Sequence, residues 1–163
     1  MSAPIFHTVQ DLLDSAAVPY TVLKHPPVVT VAQARTLVPE LLPRLATTVA
    51  FSVKDAGYVL VTTRAGDRVG YPALARAIAV NRRRLRLAGP QAVELALGFE
   101  IGGVGPFPVS GVDQVIVDTR VAAWDRLACG AGVRTRSIDI AVADLLKVSS
   151  AAIAEVAIPA EDC

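Results

Sequence analysis

The apolar positions along this chain recur with two different periods, and the switches between them mark out its elements. In residues 8–17 (TVQDLLDSAA), Val9, Leu12, Leu13 and Ala16 follow the i, i+3, i+4, i+7 spacing of an amphipathic helix, with Pro19 just past its end. Residues 20–24 (YTVLK) read as a strand closed by His25-Pro26-Pro27. Thr30 is a good N-cap for a second helix through about Leu37, and Pro39 and Pro43 bracket its exit. The β-branched and aromatic runs 47–53 (TTVAFSV) and 58–63 (YVLVTT) read as central strands. Between them Lys54-Asp55-Ala56-Gly57 is a hairpin signal in which Gly57 supplies the positive φ of the turn.

Helical patterns return at 71–80, with Pro72 in the first turn, and at 90–98, with proline first and glycine last. Residues 114–118 (QVIVD) form a strand pattern, Cys129-Gly130-Ala131-Gly132 a tight connection, and 136–140 (RSIDI) another strand. A helix over 141–148 and a short strand over 152–156 complete the chain. Strands and helices are interleaved without the strict alternation of a doubly wound fold. The expectation is an α+β domain on a mixed, mainly antiparallel sheet with helices packed around it.

Composition bounds this picture. A chain of 163 residues, 53% hydrophobic and 19% charged, is expected to be one globular domain spanning 1–163. Its net charge of +1 argues against the basic footprint of a protein that grips DNA, and its apolar runs are too short to span a membrane. With two cysteines, Cys129 and Cys163, and no signal-peptide pattern, no disulfide framework is expected and the location reads as cytoplasmic. Neither a CxxC pair, an HExxH helix nor a Gly-x-x-x-x-Gly-Lys loop occurs, so no metal or cofactor is expected.

Two stretches carry candidate chemistry. The segment GGVGPF, from Gly102 to Phe107, puts three glycines and a proline directly after a helix. It is either a turn into the next strand or a loop whose main-chain N–H groups approach a ligand oxygen without side chains in the way. The run Asn81-Arg82-Arg83-Arg84-Leu85-Arg86 is either a solvated helix end or a phosphate-binding patch.

The order of these pieces resembles a known family. The YTVLKHPP strand, the hairpin ending in GYVLV, GDRV leading into LARAIAV, then GFEIGGVGPF, VIVD, CGAG and DLLKV are together similar to the YbaK and prolyl-tRNA synthetase-associated editing domains, over nearly the whole chain. The resemblance implies a mixed sheet with surrounding helices. It also implies an aminoacyl-tRNA deacylase that hydrolyses the ester of mischarged tRNA, with mischarged aminoacyl-tRNA as substrate and an aminoacyl-tRNA synthetase as a further partner.

Gly102 and Pro106 match the family's Gly-x-x-x-Pro element, which implies that Gly102, Gly103, Val104, Gly105 and Pro106 line the substrate pocket. His25 stands where relatives have a His or aromatic residue at the pocket entrance. Cys129 and Gly130 match a small-residue loop bordering the pocket, and Asp139 on the following strand is placed either to orient a water or bind the substrate amine, or as a surface carboxylate. Arg82, Arg83, Arg84 and Arg86 would contact the acceptor stem. One departure stands out: relatives carry a Lys-Thr dipeptide at the start of the first hairpin strand, and this chain has Thr47-Thr48 there. A threonine hydroxyl can position a water or an ester oxygen but carries no charge. Lys54 lies on the face opposite Thr47 in an unbroken strand, so it replaces the lysine only through a bulge or a shifted register; otherwise it is a solvated turn lysine. The departure leaves two functions open, a free-standing deacylase or a module of the same fold that binds aminoacyl-tRNA, an amino acid or a protein without cleaving an ester.

Overall fold

The structure, a computed structural model, describes residues 4–160; Cys163 lies outside the described residues. Helix α1 (Pro4–Ser15) is followed by β1 (Tyr20–Lys24), α2 (Val31–Leu37), a 3-10 helix (Pro39–Arg44) and the hairpin β2 (Ala46–Val53) and β3 (Tyr58–Arg64). Next come β4 (Arg68–Val69), α3 (Tyr71–Ala77), a 3-10 turn (Arg82–Arg84), β5 (Leu85–Leu87) and α4 (Pro90–Leu97). The chain continues with β6 (Val112–Asp118), α5 (Thr119–Ala122), β7 (Arg126–Gly130), β8 (Arg136–Ala141), α6 (Val142–Ser149), β9 (Ala152–Ala154) and β10 (Ala157–Ile158).

The strands form a five-stranded sheet in the order β5-β2-β3-β6-β9, a three-stranded sheet β1-β8-β7, and the pair β10-β4. All pairings are antiparallel except β3 with β6 and β6 with β9, so the α+β, mainly antiparallel expectation holds. The larger sheet is apolar on both faces. Phe51, Val59, Val61 and Ile116 pack against Leu74, Ala75 and Ile78 of the α3 side, while Ala46, Ala50, Leu60, Val115 and Val117 join Phe6, Val9, Leu13, Phe99, Phe107 and Leu127. A sheet covered on both sides has near-continuous apolar strands, the pattern read in β2 and β3.

The three-stranded sheet uses its two faces differently, and this difference creates the site. Ile138, Ile140, Leu127 and Cys129 point into the main core. On the other face Leu23 and Ala128 meet Ala34, Val38 and Leu41 of α2 and the 3-10 helix in a separate small cluster. A parallel bridge between Leu45 and Ala128 brings the start of β2 against this sheet.

Several sequence-based boundaries move, for local reasons. Helix α1 starts at Pro4 because Ile5 and Phe6, both buried, extend its apolar stripe by a turn, and it ends before Ala17, which takes a left-handed φ of 56°. In the hairpin turn Asp55, not Gly57, holds the positive φ, at 63°. Gly57 is small for another reason: its N–H donates to Asp113 Oδ2 at 2.8 Å, and a Cβ there would lie 2.8 Å from that carboxylate. Cys129 and Gly130 end strand β7 rather than forming a loop, and the basic run is a 3-10 turn leading into an edge strand rather than a helix end. The two-residue strands carry too little periodicity to be seen in the sequence.

Candidate functional site

A cavity of about 450 Å³ opens between α2 and the 3-10 helix on one side and the start of β2, the Gly102–Val104 segment and the start of β8 on the other. That is within the usual size of small-ligand sites, about 300–1,000 Å³, and far too small for a nucleic-acid arm. Its walls include Val28, Val31, Ala34, Val38, Leu41 and Val49, with polar groups from His25, Thr47, Thr48, Asp67, Arg136 and Ser137.

The rim is pinned by capping. Thr30 caps α2 by accepting from Gln33 N–H at 3.1 Å, and the Gln33 side chain accepts in return from the N–H groups of Val29 and Thr30. The preceding segment is tied to the chain before β8 by His25 N–H donating to the Thr135 carbonyl and Val28 N–H to that of Arg134, both at 3.0 Å. Opposite, Arg44 donates to Asp139 Oδ2 at 3.0 Å, and Arg126 holds Asp139 Oδ1 at 2.9 Å. Both carboxylate oxygens of Asp139 are thereby engaged in clamping the 3-10 helix to the small sheet. Asp139 does not line the cavity.

The glycine segment works through its backbone. Gly102 has a φ of +86°, and a Cβ there would lie 2.5 Å from the Val28 carbonyl oxygen. Gly103 and Gly105 are buried against the end of β7 and the Gly132–Val133 chain beyond it: a Cβ on Gly103 would meet the Gly132 backbone at 2.7 Å, and one on Gly105 the Gly130 carbonyl oxygen at 2.0 Å. Side chains are thus excluded by main chain rather than by a ligand. The Gly103 carbonyl accepts from Gly132 N–H at 2.8 Å. In a trans peptide the N–H points opposite to the C=O, so the Val104 N–H is directed away from β7. Gly102 and Val104 line the cavity, and among the described residues no acceptor takes the Val104 N–H. Pro106 is buried behind the segment and is not part of the wall.

The remaining predicted residues divide. Thr47 and Thr48 both line the cavity; Thr48 Oγ1 lies 2.8 Å from Thr62 Oγ1, while the Thr47 hydroxyl has no partner among the described residues. Gly130 lines the cavity and Cys129 does not, because alternation along β7 turns the thiol into the core, where it is fully buried. Burial, reinforced by the charge of Asp139, pushes the Cys129 thiol well above its ordinary range. The group is therefore neutral and inert.

Lys54 follows the far end of β2, and the β2–β3 register runs without a bulge. At about 3.3 Å per residue Lys54 is roughly 20 Å from Thr47, which removes it as a substitute for the lysine. The arginines lie at the same distant end: Arg86 pairs with Ser52 across β2–β5, Arg84 donates to the Lys54 carbonyl at 2.7 Å, and Arg82 stacks 5.0 Å over the Tyr71 ring. Arg83 and Arg86 are exposed.

Sequence reasoning did not pick out Asp67, Arg136 or Ser137. Asp67 reaches the cavity from the turn after β3, receiving Arg64 Nε at 2.8 Å and the Ala160 N–H at 2.9 Å. Burial alone would raise its pKa; the Arg64 guanidinium and the Ala160 amide together outweigh that and hold it below the usual carboxylate value. Arg136 lies 4.4 Å over the Phe6 ring and brings a cation to the wall. Ser137 Oγ lies 2.9 Å from His25 Nε2, and His25 Nδ1 is 2.8 Å from the Pro26 carbonyl oxygen. Among the described residues no three His, Cys, Asp or Glu side chains gather as a metal site would require. No described helix is long and apolar enough to cross a membrane.

Comparison with known proteins places this geometry. A family model described as an aminoacyl-tRNA editing domain matches residues 25–148, which includes every cavity-lining residue named above. Among curated proteins none matches. Of solved structures, the hypothetical protein APE2540 is 19% identical with a TM-score of 0.81, over 92% of this chain and 99% of that one. A protein proposed to be a trans-editing enzyme for prolyl-tRNA synthetase is 20% identical with a TM-score of 0.80, over 98% of this chain and 100% of that one. A third, a proposed signal transduction protein from Marinobacter aquaeolei VT8, is 20% identical with a TM-score of 0.66, over 97% of this chain but 31% of that one. At these identities the likeness is one of fold.

Proposed function

The chain belongs to the aminoacyl-tRNA editing domain family, and from that premise we propose that it is an aminoacyl-tRNA deacylase acting in trans on mischarged tRNA. The observation that carries the reading is the Val104 N–H, turned away from β7 on a segment lining a cavity sized for the charged 3′ end alone. Hydrolysis of an aminoacyl ester builds negative charge on the carbonyl oxygen, and a fixed main-chain donor stabilises that charge without reorganising. The aliphatic wall of Val28, Val31, Ala34, Val38 and Leu41 would take the aminoacyl side chain. Thr47, Thr48 and His25 would orient the ester and the terminal ribose, and the synthetase that makes the error supplies the substrate. The tRNA body would lie across the surface, with Arg83 and Arg86 available to its phosphates.

A second reading has its own observation. By the resemblance, Thr47 stands where the family has its lysine, and among the described residues no lysine lines the cavity. A module without that cation could retain charged tRNA, or the free amino acid, without cleaving the ester. Incubation with a panel of mischarged tRNAs separates the two. Release of amino acid from at least one member at enzymatic rates is expected; binding of charged tRNA with no release from any would replace the deacylase by the binding module.

A further inference from the structure

We propose that Ser137 is the nucleophile of this cavity and His25 its general base, so that ester cleavage passes through an aminoacyl ester on this chain. The inference deepens the deacylase reading and rests on it. A carbonyl oxygen can only accept, so the 2.8 Å contact to the Pro26 carbonyl places the proton of a neutral His25 on Nδ1. Nε2 then presents its lone pair, and Ser137 Oγ, 2.9 Å away, donates to it. This is the arrangement of an activated nucleophile: hydroxyl, base within hydrogen-bond reach, and a third group that fixes the tautomer of the base. Here the third group is a main-chain carbonyl, held by two prolines and by the His25 and Val28 amides bound to the chain before β8.

The pair also stands beside an oxyanion donor. Ser137 is directly opposite Gly130 in the β7–β8 register. A Cβ on Gly130 would lie 2.3 Å from the Val104 carbonyl oxygen and 2.7 Å from that of Gly103. Directly opposed Cβ positions share a face about 4.5–5.5 Å apart, so the main chain of Gly103 and Val104 occupies the place next to the Ser137 side chain. Gly130 is what lets it approach. The segment that carries the Val104 N–H therefore borders the Ser137 side chain on the cavity wall.

Competing nucleophiles and bases in this region are otherwise engaged. Asp139 is clamped by two arginines, Cys129 is sealed in the core, and Thr48 is bonded to Thr62. Thr47 has a free hydroxyl but no base among the described residues.

The chemistry balances without a co-reactant. Ser137 Oγ bonds to the ester carbon while its proton passes to His25 Nε2. The bond from carbon to the terminal ribose oxygen then breaks, and that oxygen leaves with the proton from His25. Water attacks the aminoacyl-serine ester, giving its proton to His25, and the Ser137 oxygen leaves and recovers a proton. Free amino acid and uncharged tRNA are the products.

The test treats wild type and the S137A, S137C and H25A variants with a fluorophosphonate probe and, separately, with radiolabelled mischarged tRNAs quenched in acid during a single turnover. The expected results are a probe adduct and an amino acid ester on the peptide bearing Ser137. Both vanish in S137A and fall at least about tenfold in H25A, while S137C forms a thioester at the same position. Deacylation by S137A should drop by about 10²–10⁴-fold with an unchanged melting temperature. Wild-type deacylation by S137A, or turnover with no adduct on Ser137, overturns the proposal and leaves the deacylase reading standing. Probe labelling of Ser137 with no aminoacyl-tRNA hydrolysed does the reverse: it keeps the nucleophile and removes the substrate.

Discussion

Two glycines with nearly the same positive φ allow the close approach at the cavity rim to be measured. Gly66 and Gly102 have φ values of +93° and +86°, but a Cβ on Gly66 would meet nothing nearer than the Ala160 Cβ at 3.8 Å, whereas one on Gly102 would lie 2.5 Å from the Val28 carbonyl oxygen and 2.8 Å from the Val29 Cα. Replacing either by alanine costs about 1–2 kcal/mol for an L-residue in the left-handed region. Gly102→Ala must in addition push the Val28–Val29 main chain back by about 1 Å to restore ordinary contact, since non-bonded atoms rest about 3.5–4 Å apart. Overpacking that displaces backbone costs a further 1–3 kcal/mol or so. At roughly 2–4 °C per kcal/mol for a chain of this size, Gly102→Ala should melt at least about 2 °C below Gly66→Ala by calorimetry. Because Val28 and Val29 line the cavity, deacylation by Gly102→Ala should also fall at least about tenfold, since displacing positioning groups by about 1 Å is that costly. Equal melting temperatures for the two variants would refute the claim that the rim is fixed by this main-chain contact.

Asp67→Asn should destabilise the protein at neutral pH by about 1–3 kcal/mol, as it breaks a charge-assisted pair with Arg64 at a buried carboxylate. Because the folded pKa lies below the ordinary value of 3.8, this stability is present above that value and lost as pH falls through the folded one. The gap in melting temperature between wild type and variant should therefore close on acidification below pH 3.8 and stay open above it; a gap independent of pH would reject the ion pair. Thr47→Lys, which restores the family's cation, should change deacylation by less than about threefold if Ser137 and His25 carry the reaction, since a charge not needed for a step adds little to it. A gain of orders of magnitude would instead favour the binding-module reading of the wild type. Finally, Arg83→Gln with Arg86→Gln should lower the salt dependence of tRNA binding by about 0.7–0.9 unit for each phosphate no longer neutralised. Hydrolysis of a minimal aminoacyl ester should be untouched, and an unchanged slope in a salt titration would mean the two arginines are only solvated.

Much of the architecture was determined locally. The helix stripe of Val9 and Leu13, the cap at Thr30, the left-handed Gly98 closing α4 at a φ of 84°, and the two hairpin strands are each set by a few neighbouring residues, and local rules suffice to read them. The glycine segment, His25 and the two threonines were likewise legible as candidates, through turn chemistry and the ordered resemblance to editing domains. What a residue faces is a different matter. Cys129 and Gly130 are adjacent, yet one is sealed in the core and the other lines the cavity. Alternation guarantees that they part, and only the packing of the three-stranded sheet between the core and α2 decides which goes where. Asp139 reads in the sequence as a candidate substrate ligand, but Arg44 and Arg126, 95 and 13 residues away, hold it in the fold. Ser137 reads as a polar position in an ordinary strand, because its partner lies 112 residues earlier and meets it only through the β1–β8 register. Sequence rules reach as far as a turn or a strand pair, since their energies are local; a catalytic pair assembled across a sheet depends on a register fixed by the whole core.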